Sequence, residues 1–371
     1  MESSLPAALP QFAISEISIP EVSIIVPARN EEASVGPCLE SLTAQTGVAF
    51  EIIVVDDGST DRTREIAESF AGVRVISAGP LPAGWTGKNN ALVAGAKAAR
   101  APWLLFTDAD TVHLPGSLAR ALDEAKQERA DLLSYSPEQV VVTFAERAVM
   151  PVIFAELAAE YPPHKVREQI SRQSSEERSG QRARIAAANG QYILVRRAAY
   201  DAAGGHAAVA TEILEDVALA RLFRNAGQPV YFRYGGDAVR TRMYRNWPQL
   251  REGWTKNLAL LFPQSGRLAM QSLVLWFAAW VALGFAVFGA ASQHFLWIAF
   301  AVLWLLVYRR IGAANFATAN NLIAIACGLP MFAYLLLRSR KAHANGKVSW
   351  KGRAYNVGLS NESTPAEKKA A

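Results

Sequence analysis

Cysteine is nearly missing from this 371-residue chain, which has only Cys38 and Cys327, far apart and without metal-ligand spacing. That excludes a disulfide framework and a thiolate zinc centre. No G-x-G-x-x-G follows the first apolar run, where the chain reads PARNEE instead, so a dinucleotide fold is excluded. At Gly87-Lys88 a phosphate loop fails on spacing, since its earlier glycine falls on Pro82 and Asn89 replaces Ser or Thr. The formal charge is a modest +5 and the basic residues form no single block with interleaved aromatics, so nucleic acid is not an expected partner. Formal charge is absent altogether from Leu268 to Tyr308 and from Ile311 to Leu337. At about 20 residues per span, the first run suffices for two membrane passes and the second for one. The opening MESSLPAALPQFAISEIS has an early acid, no basic start and no long apolar core, unlike a signal peptide. The expected protein is a soluble head in the cytoplasm joined to a multi-pass inner-membrane region.

What is present is alternation, in a chain whose apolar fraction of 51% supports a substantial core. The runs VSIIVPARN, EIIVVDDGS, VRVIS and PWLLFTDAD read as strands, with helical patterns near Ala33 to Gln45, Asp61 to Phe70 and Asn89 to Ala99. This predicts an α/β domain with a mostly parallel sheet, helices on both faces and chemistry at the carboxyl ends of the strands. Arg29, Asn30, Glu31, Asp56, Asp57, Asp108 and Asp110 all fall at those ends. In LLFTDADTVH, Asp108 and Asp110 project to one side of an extended segment, and such a pair repels unless a cation sits beside it. A simple turn is the competing explanation. Delivery of polar groups to one edge by three separate strands weighs against it.

From Val140 the character changes. VVVTFAERAVMPVIFAELAAEY suits either an amphipathic helix on a bilayer or a packed core helix. The charged stretch from His164 to Arg184 reads as a solvated loop that could cover a substrate. TEILEDVALARLFRNAG reads as a capped helix that stops at Gly227.

The ordered series PARNEE, VVDDGSTD, GWTGKNNAL, FTDAD, ANGQYILVRR with AAGG, and ILEDVALA resembles the family 2 glycosyltransferases of GT-A fold over about residues 20 to 260. RMYR, LREGWTKNL and the tail VSWKGRAY resemble the bacterial enzymes acting on polyprenoid lipids, above all the diaponeurosporenoate (carotenoid acid) type. The hopanoid-associated type is a looser match through LPAGWTGK and TDADTVH.

The resemblance implies that Asp56 and Asp57, with Arg29 and Glu31 near, sit by the nucleobase and ribose of a nucleotide sugar. It makes Asp108 and Asp110 the D-x-D pair for a divalent cation on the donor diphosphate, with Asp110 ahead of Asp108 as direct ligand. Hard oxygen ligands favour Mg2+ or Mn2+. Asp216 takes the place of the catalytic base, with Glu215 beside it; adjacent on a helix, the two are expected to face apart, one orienting and one reacting. Both could instead simply complement a helix N-terminus. A carboxylic acid acceptor would be ionised already and would need no base. Lys88 and Arg242 are diphosphate candidates, or else ordinary surface charges. The family's Q-x-x-R-W appears as LREGW, which keeps Trp254 for the acceptor, or for a membrane interface, and puts Gly253 at the Arg position. Arg251, Arg242 or Lys256 is left to supply the charge.

The expected organisation is an N-terminal segment 1–20, a GT-A domain with interfacial helices 21–262, membrane-embedded helices 267–338 and a basic tail 339–371. Basic residues flanking the apolar runs place the tail beside the head, which requires an even number of passes, and Gly328-Leu329-Pro330 suits a re-entrant or surface-lying segment. Between two and four passes are expected. The function that follows is inverting transfer of a hexose, glucose from UDP-glucose, to a carotenoid acid or hopanoid in the membrane. Transfer to a polyprenyl phosphate or sphingolipid-like alcohol is an alternative, and a non-catalytic nucleotide-binding membrane scaffold is one of another class.

Overall fold

The computed structural model describes residues 19–160, 187–288 and 294–355. The opening segment through residue 18, the charged stretch from His164 to Arg184 and the tail past residue 355 lie outside the described residues. In chain order, β1 (Val22–Ala28), α1 (Val35–Thr43), β2 (Phe50–Asp56), α2 (Thr63–Glu68), β3 (Val73–Ser77), α3 (Gly87–Ala98) and β4 (Trp103–Phe106) alternate as read. There follow β5 (Thr111–His113), α4 (Ser117–Gln127), β6 (Leu132–Ser136), β7 (Glu138–Gln139) and α5 (Phe144–Glu160). Then come β8 (Ile193–Arg196), α6 (Arg197–Ala202), a 3-10 turn at Gly205–Val209, α7 (Glu215–Asn225), β9 (Val230–Tyr234) and β10 (Val239–Thr241).

Seven strands form one sheet in the order β3-β2-β1-β4-β8-β6-β9, parallel except where β8 pairs with β4 and β6. This is the α/β domain with a mostly parallel sheet that the alternation predicts. Both faces are covered, and β1 shows why its run is apolar throughout. Ile24 and Val26 enter the cluster that includes Leu39, Leu42 and Leu118, while Ile25 enters the one formed with Leu92, Leu219 and Phe223.

After β10 the chain turns helical: α8 (Trp247–Leu261), α9 (Ser265–Phe288), α10 (His294–Gly312), α11 (Thr318–Ile323), a π turn at Ala324–Gly328 and α12 (Leu329–Ala344). The two-stranded hairpin β11 (Val348–Trp350) and β12 (Arg353–Tyr355) ends the described chain. A third core cluster joins these helices to α5 through Val149, Ile153, Leu250, Trp254, Phe332 and Leu336. Of the two readings of the α5 segment, the packed core helix is the one observed. Its start is a capping box in which Glu146 accepts from Thr143 N at 2.7 Å while Glu146 N reaches Thr143 Oγ1 at 3.4 Å.

Two helical stretches, Ser265–Phe285 and Thr318–Ala344, are long and apolar enough to cross a membrane. The second runs on through Gly328-Leu329-Pro330 as helix, π turn and helix, where the sequence reading expects a break. Pro330 cannot donate to the carbonyl of Ala326, and Trp276 Nε1 of α9 bonds that oxygen at 2.8 Å instead. Gly328 serves contact rather than a break, since a Cβ there would lie 2.0 Å from the Ala148 carbonyl oxygen of α5.

Candidate active site

The register of the sheet determines which side chains meet. Ala28 lies opposite Asp56, so Arg29 and Asp57 leave neighbouring strands together. Thr107 N bonds the Ile25 carbonyl at 3.1 Å, which carries the chain past β4 and brings Asp108 and Asp110 to the same edge. Because β8 runs antiparallel to β4, with Phe106 opposite Ile193, the loop before β8 returns to this edge too. There Gly190 N donates to Asp216 Oδ2 at 2.9 Å.

Asn89, in the first turn of α3, brings in the other side. Its amide donates to the carbonyls of Val209 at 2.9 Å and of Ala210 and Glu212 at 3.1 Å, which pins the loop that leads into α7. Lys88 Nζ then sits 2.7 Å from both Asp108 Oδ1 and Glu215 Oε1. One ammonium thus joins the sheet edge to the start of α7.

These groups line one pocket of about 300 Å³. Its charged side carries Arg29, Glu31, Asp57, Lys88, Asp108, Asp110, Glu215 and Asp216, and Lys256 reaches it from α8. Its apolar side is formed by Phe154 and Leu157 of α5, Met243, and Trp254 and Leu261 of α8. Burial, then Asp108 and Glu31, pushes the Asp110 carboxyl up to about 7, and its buried Oδ1 has no hydrogen-bond partner among the described residues. Burial also raises Asp108 despite Lys88. Burial and the Glu215 charge bring Asp216 up to about 6. Burial alone would raise Glu215 and lower Lys88, but the opposite charges outweigh it, so Glu215 falls below its ordinary value and Lys88 rises well above its own. Both stay ionised.

Sequence reading and structure part at several residues. Glu215 and Asp216, expected to face apart, both line the pocket from the start of α7, Glu215 beside Lys88 Nζ at 2.7 Å and Asp216 accepting from Gly190 N at 2.9 Å. Asp56 is absent from the lining; its Oδ1 accepts from Ser59 N at 3.1 Å and closes the local turn. Arg242 is absent as well, its guanidinium holding buried Glu146 at 3.3 Å. Trp254 is 2% exposed, bonds Met150 Sδ at 3.3 Å and lines the pocket from inside the core, not from an exposed interface. At Gly253 a Cβ would lie 2.4 Å from the Tyr244 ring, so this chain has no room for the family's arginine. Of the three replacements considered, only Lys256 lines the pocket.

Residues 23–200 match the model described as glycosyl transferase family 2. The chain is 28% identical over 350 residues to 4,4'-diaponeurosporenoate glycosyltransferase of Staphylococcus aureus (strain USA300), with 91% of this chain and 88% of that protein covered. Among solved structures it is similar to the mannosyltransferase PcManGT from Pyrobaculum calidifontis in complex with GDP-Man and Mn2+, at TM-score 0.48 and 16% identity over 87% of this chain and 86% of that one. It is also similar to S. aureus TarS 1-349 in complex with UDP-GlcNAc, at TM-score 0.40 and 16% identity, covering 88% of this chain and 92% of the other.

Three residues that build the pocket escaped the sequence reading. Asn89 was quoted within GWTGKNNAL without a task of its own. Lys351 and Arg353 were counted only as tail charges, yet Arg353 holds the Asp57 carboxylate and Lys351 that of Glu31. The pairs lie 296 and 320 residues apart in sequence, and the quoted motif VSWKGRAY was the one signal for them.

Proposed function

We propose that the protein is a membrane-anchored inverting glycosyltransferase that moves a hexose, glucose from UDP-glucose, onto a polyprenoid lipid of carotenoid-acid type. The observation that carries this reading is the single pocket in which sheet-edge carboxylates face an apolar wall from α5 and α8. A lipid acceptor needs that wall, and a nucleotide sugar needs the charged edge. The similarity to diaponeurosporenoate glycosyltransferase over most of both chains supports the acceptor class. Exposed apolar side chains along α9 and α10, among them Phe277, Phe285, Phe295 and Ile298, support anchoring in a bilayer.

Mg2+ or Mn2+ fits the site. Asp110 offers a buried oxygen, unpartnered among the described residues, beside Asp108. No three His, Cys, Asp or Glu side chains are gathered for a metal among the described residues, so two carboxylates would share the ion with donor phosphates and water. When bound, the ion supplies positive charge for the departing nucleoside diphosphate. Lys88 and Lys256 add fixed positive charge on the same side.

For a hydroxyl acceptor Asp216 takes the proton, held in place by Gly190 N. The acceptor oxygen bonds to the anomeric carbon as the bond to the diphosphate breaks on the opposite side, and configuration inverts. A carboxylate acceptor brings no proton, and Asp216 then positions it.

The test is nucleoside diphosphate release from a panel of nucleotide sugars by detergent-purified protein, with and without metal and bacterial lipid extract. Release that requires both and is lost in Asp110→Ala supports the reading. Survival of release in Asp216→Ala identifies a carboxylate acceptor. No turnover of any donor with any lipid sinks the proposal.

A further inference from the structure

Among the described residues the β11–β12 hairpin forms a sheet of its own, apart from the seven-stranded one. Alone, a two-stranded hairpin is marginal, so its attachments matter. Ser349 Oγ meets Glu252 Oε1 of α8 at 3.5 Å, and the Trp350 ring lies edge-on to Tyr244 at 6.4 Å. Its two-residue tip, Lys351 (φ 47°) and Gly352 (φ 78°), is left-handed at both positions. Glycine takes that conformation freely. A lysine there is strained, and such strain persists where surrounding contacts over-determine it.

Those contacts lead into the pocket. Lys351 Nζ pairs with Glu31 and donates to the Arg29 carbonyl at 3.0 Å, while Arg29 Nε reaches back to the Lys351 carbonyl at 3.4 Å. Arg353 grips both oxygens of Asp57, Oδ1 at 3.0 Å, and its Nη2 lies 3.3 Å from the Asp57 carbonyl. It lies so close to the start of α3 that a Cβ on Gly87 would be 1.7 Å from its Nη1.

The charge balance of the pocket states what the tip is for. Six carboxylates line it: Glu31, Asp57, Asp108, Asp110, Glu215 and Asp216. Among the described lining residues and without the hairpin, Arg29, Lys88 and Lys256 are the cations that face them, fewer than the carboxylates at an edge that must take a diphosphate. Lys351 and Arg353 bring the cations to five. A guanidinium can hold a carboxylate on one edge and present further N–H groups to a phosphate.

We propose that the β11–β12 tip is part of the donor site and that Lys351 and Arg353 bind the phosphates of a nucleoside diphosphate, sealing the nucleotide end of the pocket from the far end of the chain. The inference rests on the donor reading above and goes past it, because it assigns phosphate recognition to a segment that follows the apolar helices. The opposite arrangement would be a plug, with the same two side chains occupying space that the donor must take.

The experiment is calorimetric titration of detergent-purified full-length protein with UDP, GDP and ADP and with their nucleosides, in Mn2+. Variants are Arg353→Gln, Arg353→Lys and Lys351→Asn, the last chosen because asparagine tolerates the left-handed tip while removing the charge. Losing one charge-assisted contact should weaken diphosphate binding on the order of tenfold or more, with nucleoside affinity changed far less and Arg353→Lys recovering part of the loss. A structural role alone would weaken nucleoside and nucleoside diphosphate alike, and that result overturns the proposal. Equal or tighter diphosphate binding by Arg353→Gln and Lys351→Asn overturns it in favour of the plug. If wild-type protein binds no nucleoside diphosphate at all, the donor reading itself fails, a result distinct from both.

Discussion

Asp110 and Asp216 share one pocket and both are pushed upward by burial, but pH acts on them in different measurements. A base works as the carboxylate. With Asp216 brought up to about 6, kcat/KM toward a hydroxyl acceptor should fall about tenfold per pH unit as pH drops below 6, and Asp216→Asn should lose about 10²–10⁴-fold at neutral pH. A pH profile without that limb, together with a mild Asp216→Asn effect, points to an acceptor that is already ionised. Asp110, at about 7, holds a proton that a cation must displace. Mn2+ should therefore bind about tenfold more weakly at pH 6 than at pH 8, with proton release on binding, measurable by titration in buffers of different ionisation enthalpy. Affinity independent of pH over that range would remove Asp110 from the ligand set.

At the scale of elements, α3 is the organiser. Its Lys88 ties β4 to α7, and its Asn89 anchors the loop between them through three carbonyls. Asn89→Ala leaves buried carbonyls without donors, an expected cost of about 1–3 kcal/mol in unfolding free energy. Because that loop delivers Glu215 and Asp216, kcat should fall more than donor KM rises. Denaturant unfolding beside steady-state kinetics checks both, and a stability loss with unchanged kcat would reduce Asn89 to a packing role. Helix α5 depends on its capping box, so Thr143→Ala should cost about 1 kcal/mol and leave the donor edge intact. Thermal unfolding with and without bound nucleotide measures that separation.

The whole molecule joins a charged pocket to a layer of long apolar helices through α5 and α8, which line the pocket and share the helical core. The anchoring proposed for those helices would be hydrophobic, and salt screens charge but does not weaken burial. The full-length protein should therefore stay with sedimented vesicles through a wash in about 1 M salt, where the Debye length shrinks to about 3 Å. Release into the supernatant would mean that the basic flanks alone hold it. An acceptor that shares the bilayer would then reach the apolar wall without crossing water.

Sequence alone determined the alternating α/β order, the edge that bears Arg29, Asp57, Asp108 and Asp110, and the uncharged helical runs. Those are local matters of periodicity and strand ends, set by residues close together in the chain. It left open where Asp56 and Arg242 turn, because residue type and position near a motif do not reveal a side chain's direction; Asp56 closes its own turn and Arg242 pairs with Glu146. Nor did the helical period foresee that Glu215 and Asp216 would both enter the pocket, since that depends on how Lys88 and the Gly190 loop pack against the start of α7. The Pro330 break looked like an interruption until Trp276, 54 positions earlier in the numbering, bonded the orphaned carbonyl of Ala326. Lys256 over Arg251 or Arg242, and Arg353 on Asp57, were decided only by tertiary structure. Ion pairs between residues hundreds of positions apart leave no periodic trace in a sequence, because the distance between such charges is set by packing, and packing alone brings them within reach.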